Sequence, residues 1–134
     1  MKENIIYAFS IIGGFISSLI GGFDIVITTL IIFMTIDIIT GIILAGVFKN
    51  SPKTETGKIN SQVIFKGIFK KIGVILCIIV STYLDKISGG NTIRHIVCFW
   101  FIASEGISIL ENLGSMGVPI PQKLKDALEV LKGE

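Results

Sequence analysis

Residues 5–23, IIYAFSIIGGFISSLIGGF, carry no charge, and residues 25–48 carry one, Asp37. A helical apolar run of about 18 or more residues is long enough to cross a hydrocarbon core of about 30 Å. A surface helix of a water-soluble domain needs a recurring polar face, and these two segments lack one. Two further apolar stretches follow, at 72–84 and 96–113, the second with Glu105 and Glu111. Charged residues make up 16% of the chain and mean hydropathy is +0.80, where an average soluble chain has about 25% charged residues. The chain therefore reads as a single all-α integral membrane domain over residues 1–134. Its function then rests on acidic groups held inside a bilayer.

The pattern predicts about four transmembrane helices, near 5–21, 25–47, 66–85 and 94–113. Gly21-Gly22-Phe23-Asp24 and Ser88-Gly89-Gly90-Asn91 supply tight reversals. Lys2 followed by an apolar run resembles a signal peptide, but Glu3 offsets the lysine and no small-residue cleavage site follows. An uncleaved first span is expected. The fourth span is the weakest. Its roughly nine strongly apolar residues gain about 0.3–0.6 kcal/mol each, and one central acid costs about 2.5–3.5 kcal/mol. Three spans are the alternative, with the fourth helix lying shallow or relying on its neighbours. Beyond it, Leu124, Ala127, Leu128 and Leu131 recur at helical spacing in the tail 119–134. They predict a short amphipathic C-terminal helix, on the membrane surface or against a partner.

Lys49, Lys53, Lys58, Lys66, Lys70 and Lys71 face a single acid, Glu55, between residues 49 and 71. The positive-inside rule places this basic connection, 49–65 and the start of the third helix, in the cytoplasm. Both termini are then cytoplasmic, and the lysines of the third helix are expected at the headgroup level. An ordinary topology signal is enough to explain them. The net charge of +2 gives no reason to expect a nucleic-acid partner.

Two helix faces stand out. Ser10, Gly14, Ser17 and Gly21 recur every three or four residues in the first span, the small-residue pattern that lets helices approach closely in lipid. This stripe serves packing within one protomer or between protomers. The second face is polar. Asp37 and Thr40 share one side of the second span. Ser104, Glu105, Ser108, Glu111 and Asn112 form a wedge about 120° wide on the fourth. An acid in hydrocarbon must be protonated, paired or near water. The sequence offers Asp37 and Glu105 no obvious basic mate, while Glu111 and Asn112 are expected near Lys66 or Lys70. Asp37, Thr40, Glu105, Ser108, Glu111 and Asn112 are thus candidates for a lesion-lining face, with structural hydrogen bonding the alternative.

No catalytic set is visible, and the chain is not expected to be an enzyme or to need a cofactor. His95 has no Cys or acid at metal spacing, and no phosphate loop or nucleophile elbow is present. Cys77 and Cys98 lie in apolar segments and read as small hydrophobes.

Phe99-Trp100-Phe101-Ile102-Ala103-Ser104-Glu105-Gly106-Ile107-Ser108-Ile109-Leu110-Glu111-Asn112, then Gly114 and Gly117-Val118-Pro119-Ile120-Pro121, resembles the signature of the toxin-secretion/phage-lysis holins. Asp37 with Thr40-Gly41, and Gly67-Ile68-Phe69-Lys70-Lys71 ahead of Asp85, match that family more weakly. Together these matches cover about residues 30–130. The resemblance implies a small protein of the bacterial cytoplasmic membrane that gathers as a homo-oligomer and opens lesions. A cell-wall-degrading endolysin or a leaderless toxin leaves through them as cargo, and an antiholin is a further partner. On the residues alone, a small proton-coupled exporter or an accessory subunit that binds other membrane helices is the competing reading.

Overall fold

The computed structural model describes residues 1–133, so Glu134, the last residue of the expected tail, lies outside the described residues. Five α-helices follow one another: α1 Lys2–Ile20, α2 Ile25–Ile43, α3 Ser61–Ser88, α4 Thr92–Ser115 and α5 Gln122–Leu131. No strand occurs among the described residues.

Each boundary has a local cause. α1 stops at Gly21, whose φ of 81° is left-handed and whose N–H returns to Ser17 O. Gly22, at φ 98°, completes the reversal. Asp24 then caps α2 by accepting from Ile27 N at 3.0 Å, satisfying one of the orphan donors of a helix start. α2 runs on through a π-helical turn, Leu44–Phe48, and ends at Lys49, also left-handed at φ 53°. Asn60 opens α3 by accepting from Gln62 N at 3.0 Å and Val63 N at 3.3 Å.

α4 is capped from a distance. The Asp85 carboxylate, three residues from the end of α3, accepts from Ile93 N at 3.0 Å and Arg94 N at 2.8 Å. This holds the end of α3 against the start of α4. At the opposite end Asn50 Nδ2 donates to Ser115 O at 3.3 Å, which joins the close of α2 to the close of α4. Consecutive helices therefore run up and down. A core of Ile20, Ile27, Leu30, Met34, Ile78, Cys98 and Ile102 fills the space between them.

α1, α2 with its π turn (Ile25–Phe48) and α4 are long and apolar enough to cross a membrane. α3 is not among these three, and carries Lys66, Lys70, Lys71, Asp85 and Lys86 along its length. It nevertheless joins the far end of α2 to the near end of α4, and so returns along the same distance. The outward faces are greasy, with Phe9, Phe15, Ile25, Leu76, Val80 and Ile96 all exposed. α1 is nearly bare: only its last turn is buried, at Ile20.

The tail does not lie apart from the bundle. α5 folds back along α4 and seats Leu128 on Gly106, where an added Cβ would meet Leu128 Cδ2 at 2.7 Å and Phe33 Cε2 at 3.3 Å. Leu128 is buried, while Lys123, Lys125, Asp126 and Glu129 form the exposed face of α5. The expected amphipathic helix exists, and its partner is the chain's own fourth helix.

Candidate functional site

Three ionisable side chains from three helices meet at mid-length. Lys71 Nζ donates to Asp37 Oδ2 at 2.8 Å and to Glu105 Oε2 at 2.6 Å. At 1.5 Å per residue, Asp37 lies about 18 Å along α2 from its start and Glu105 about 20 Å along α4. All three side chains are largely buried, with exposures of 14% for Lys71, 8% for Asp37 and 12% for Glu105. Buried charges persist where they are paired and their remaining hydrogen-bonding capacity is met.

Polar neighbours complete the cluster. Asn112 Nδ2 donates to Asp37 Oδ1 at 3.3 Å and to Thr40 Oγ1 at 3.0 Å. Thr40 Oγ1 in turn donates to Ile36 O at 2.8 Å. Ser108, half-buried on α4, lies within electrostatic reach of the Asp37 carboxylate. Two acids against one base leave the triad a net negative charge, held on rigid helices.

The triad supplies the basic mate that the sequence did not reveal for Asp37 and Glu105. Lys71 looked like one of the headgroup lysines, but α3 begins at Ser61, so Lys71 stands ten residues inside the helix. A signal was present. Residues 71, 78 and 85 are seven apart, on the face of α3 that buries Ile78 and Asp85, so Lys71 belongs to the inward stripe. Lys66 and Lys70 are exposed and do not meet Glu111 or Asn112. Asn112 bonds α2 instead, and Glu111 is exposed beside a hollow shared with Lys125 and Glu129 of α5.

The small-residue stripe of α1 is placed differently along its length. Ser10 and Gly14 are exposed and Ser17 is half-buried. No atom lies within 4 Å of a Cβ added at Gly14. Gly21 is outside α1 and belongs to the turn, where a Cβ would meet Arg94 Nε at 2.6 Å.

Arg94, which the sequence did not single out, centres a second ion cluster at the other end of the helices. Its Nε donates to Ile20 O at 2.6 Å, and its terminal nitrogens reach Asp24 Oδ2 at 2.8 Å and Gly22 O at 3.2 Å. The hydrogen-bonded guanidinium holds the Asp24 carboxyl below its ordinary range. No group of three or more His, Cys, Asp or Glu among the described residues could hold a metal ion.

A cleft of about 520 Å³ opens from the triad. The exposed Lys53, Lys66 and Lys70 line it together with the largely buried Asp37, Lys71 and Glu105, and Val63 and Val74 add apolar wall. The mid-helix acids therefore communicate with a basic mouth.

The bacteriophage holin family matches residues 14–133 of the chain. An uncharacterised 14.9 kDa protein of Clostridium perfringens is 33% identical over 125 residues, which cover 92% of this chain and 89% of that protein. An uncharacterised protein of Listeria monocytogenes is 34% identical over 117 residues, 87% of this chain and 78% of its own. A probable holin of Bacillus phage phi105 is 33% identical over 106 residues, 78% of this chain and 73% of the phage protein. No solved structure matches. Apolar helices long enough to span lipid, charges paired inside them, and a family match over nearly the whole length make this chain a membrane protein of the bacteriophage holin family.

Proposed function

We propose that the protein accumulates in the bacterial cytoplasmic membrane, oligomerises, and opens lesions that release an endolysin or a leaderless toxin. Members of the family form membrane pores and are not enzymes. The observation that carries this reading is the Asp37–Lys71–Glu105 triad, two carboxylates sharing one ammonium on helices that must also sit in lipid. While paired, they let a protomer reside in the bilayer. If protomers gather and the helices part, the same groups gain water and their charged forms are no longer costly. Each subunit that wets this face eases the opening of the next, so the transition is cooperative.

Two further features support an aqueous lesion. α5 holds Lys123, Lys125, Asp126 and Glu129 on its outer face alongside α4, an arrangement that is costly against lipid and suited to water. The open Ser10/Gly14 surface of α1 suits contact with a second copy, since Gly14 meets nothing within the protomer. The basic connection after α2 orients both termini to the cytoplasm. A proton-coupled exporter would want aromatic residues around its membrane acid, and the cleft beside Asp37 and Glu105 has none in its lining.

The test is induction in a bacterium with and without a signal-less cytoplasmic endolysin, following turbidity and viability. Abrupt death alone, with rapid clearing only when endolysin is present, is the expected result. Continued growth in both cultures, with the protein in the membrane, would instead indicate an inhibitory partner or a transporter. Glu105→Gln and Glu105→Leu should both shift the onset of lysis; an unchanged schedule in both removes the triad from the trigger. Gly14→Leu should disturb assembly, and an unaltered oligomer on native gels removes α1 from the contact.

A further inference from the structure

The cleft beside the triad is more than a topology signal. Four ammonium groups, Lys53, Lys66, Lys70 and Lys71, line one hollow with two carboxylates, Asp37 and Glu105. Lys71 is taken up by those carboxylates. Among the described residues no acid stands within ion-pair distance of Lys53, Lys66 or Lys70. The hollow therefore holds four ammonium groups against two carboxylates, a surplus of positive charge, with Lys53 in electrostatic reach of Asp37 and Lys66 and Lys70 in no ion pair. Its floor is kept clear: Gly67 lies between Lys66 and Lys70, and no atom lies within 4 Å of a Cβ placed there. Val63, Gly67, Lys70 and Val74 succeed one another along one line of α3, so the hollow passes from a charged mouth to an apolar wall.

We infer that this cleft binds a phosphate-bearing anion, with Lys53, Lys66 and Lys70 as the recognising groups and Val74 beside the bound molecule's apolar part. In a membrane the natural source of such an anion is the phosphodiester of an acidic phospholipid; free phosphate shares the chemistry. Ammonium groups near a bilayer surface each contribute about 1 kcal/mol toward anionic lipid, and a shaped cleft adds selectivity to that attraction. A bound phosphate also stands next to Lys71 and competes with Asp37 and Glu105 for it. Occupancy then biases the triad. This inference rests on membrane placement alone and does not require the lesion reading.

The experiment uses the full-length protein in neutral detergent and follows its thermal midpoint. Three titrants are compared: short-chain phosphatidylglycerol, phosphatidylcholine of equal chain length, and inorganic phosphate. A saturable rise with phosphatidylglycerol and none with phosphatidylcholine is expected. Inorganic phosphate producing the same rise also supports the site and identifies the headgroup phosphate as sufficient. Lys66→Gln with Lys70→Gln should raise the half-saturating concentration about tenfold or more. Gly67→Leu, which fills the floor and removes no charge, should abolish the response. Lys49→Gln with Lys58→Gln, the same charge change outside the cleft, should leave it within about twofold. Equal responses to the two lipids, or equal losses from the two lysine pairs, would overturn the site in favour of bulk attraction to the connection. Should Gly67→Leu fail to fold, the two lysine pairs still decide the matter.

Discussion

The molecule has two ion clusters built from similar parts, and they differ in what surrounds them. At the turn end, Arg94 is 6% exposed and spends its donors on Ile20 O, Gly22 O and Asp24, while Asp85 takes the first N–H groups of α4. Backbone groups with fixed positions absorb most of that charge, so the cluster behaves as a clamp on the α1–α2 turn and the α3–α4 corner. At mid-length, Lys71 is held only by two side-chain carboxylates and faces a basic cleft. Its partners sit on separate helices and can part without unfolding any of them. A charge tied to backbone resists rearrangement, and a charge tied to side chains on packed helices permits it. The first cluster fixes the fold, and the second is where we place the change that opens the membrane.

The largest effect should come from Arg94→Ala. It strands the buried Ile20 carbonyl and the part-buried Gly22 carbonyl, each at about 1–3 kcal/mol, and leaves the half-exposed Asp24 without its cation. Accumulation in the membrane should fall sharply, as read by quantitative blotting of membrane fractions. Wild-type levels and an unchanged thermal midpoint would show that the corner is not a clamp.

Lys71→Gln comes next and sharpens the contrast. Alone it leaves two carboxylates facing each other, at a cost of about 3 kcal/mol in the folded protomer. Joined to Asp37→Asn and Glu105→Gln, the charge conflict disappears, and stability should recover most of the way to wild type. The triple variant should fold yet change lysis timing. Lysis on the wild-type schedule would make the triad purely structural.

Gly106→Leu tests whether α5 belongs to the bundle. The new side chain occupies the seat of Leu128, and overpacking of this kind costs about 1–3 kcal/mol unless the helix leaves. Trypsin should then cleave after Lys123 and Lys125 faster than in wild type. Equal cleavage rates would mean that α5 does not rest on Gly106.

The smallest effect is a pH dependence at the clamp. The Asp24 carboxyl is lowered from its ordinary 3.8 in the fold, so its contribution is fully present above that value. It is lost as pH falls further, through the folded value. The side chain is 40% exposed, and solvent screening keeps the contribution small. Thermal midpoints should be indifferent to this group above pH 4 and should lose a small increment in stronger acid, and Asp24→Asn should remove that increment. A variant that tracks wild type through the acid range would contradict it.

Much of this fold is legible in the sequence, for identifiable reasons. Uncharged runs long enough for lipid, broken by Gly21-Gly22 and Ser88-Gly89, mark the helices because few other arrangements satisfy backbone groups in hydrocarbon. Asp37, Thr40, Glu105, Ser108 and Asn112 are readable as one polar face because helix geometry puts them there, and the structure brings them together. Glu111 shares the sequence pattern but stays exposed, since the wedge on α4 is wider than the contact with α2. Lys71 was obscured by its neighbours. Three lysines close together look like a headgroup signal until the start of α3 is known. Arg94 was beyond reach for another reason: its partners lie about 70 residues away, on two other helix ends and a turn. The seat of Leu128 on Gly106 likewise depends on the fold-back of the tail, which no local pattern encodes.

Opening of the mid-helix face to water is tested most directly at Ser108, which is half-buried on the face of α4 that carries Glu105 and Asn112. In a Cys77→Ala, Cys98→Ala background, Ser108→Cys would be treated with a small membrane-impermeant thiol reagent outside intact cells, before and after the onset of lysis. Labelling that is absent before onset and rapid after it is the predicted result. Equal labelling at both times, or protection throughout in cells that still lyse, would contradict the proposal that this face lines the lesion.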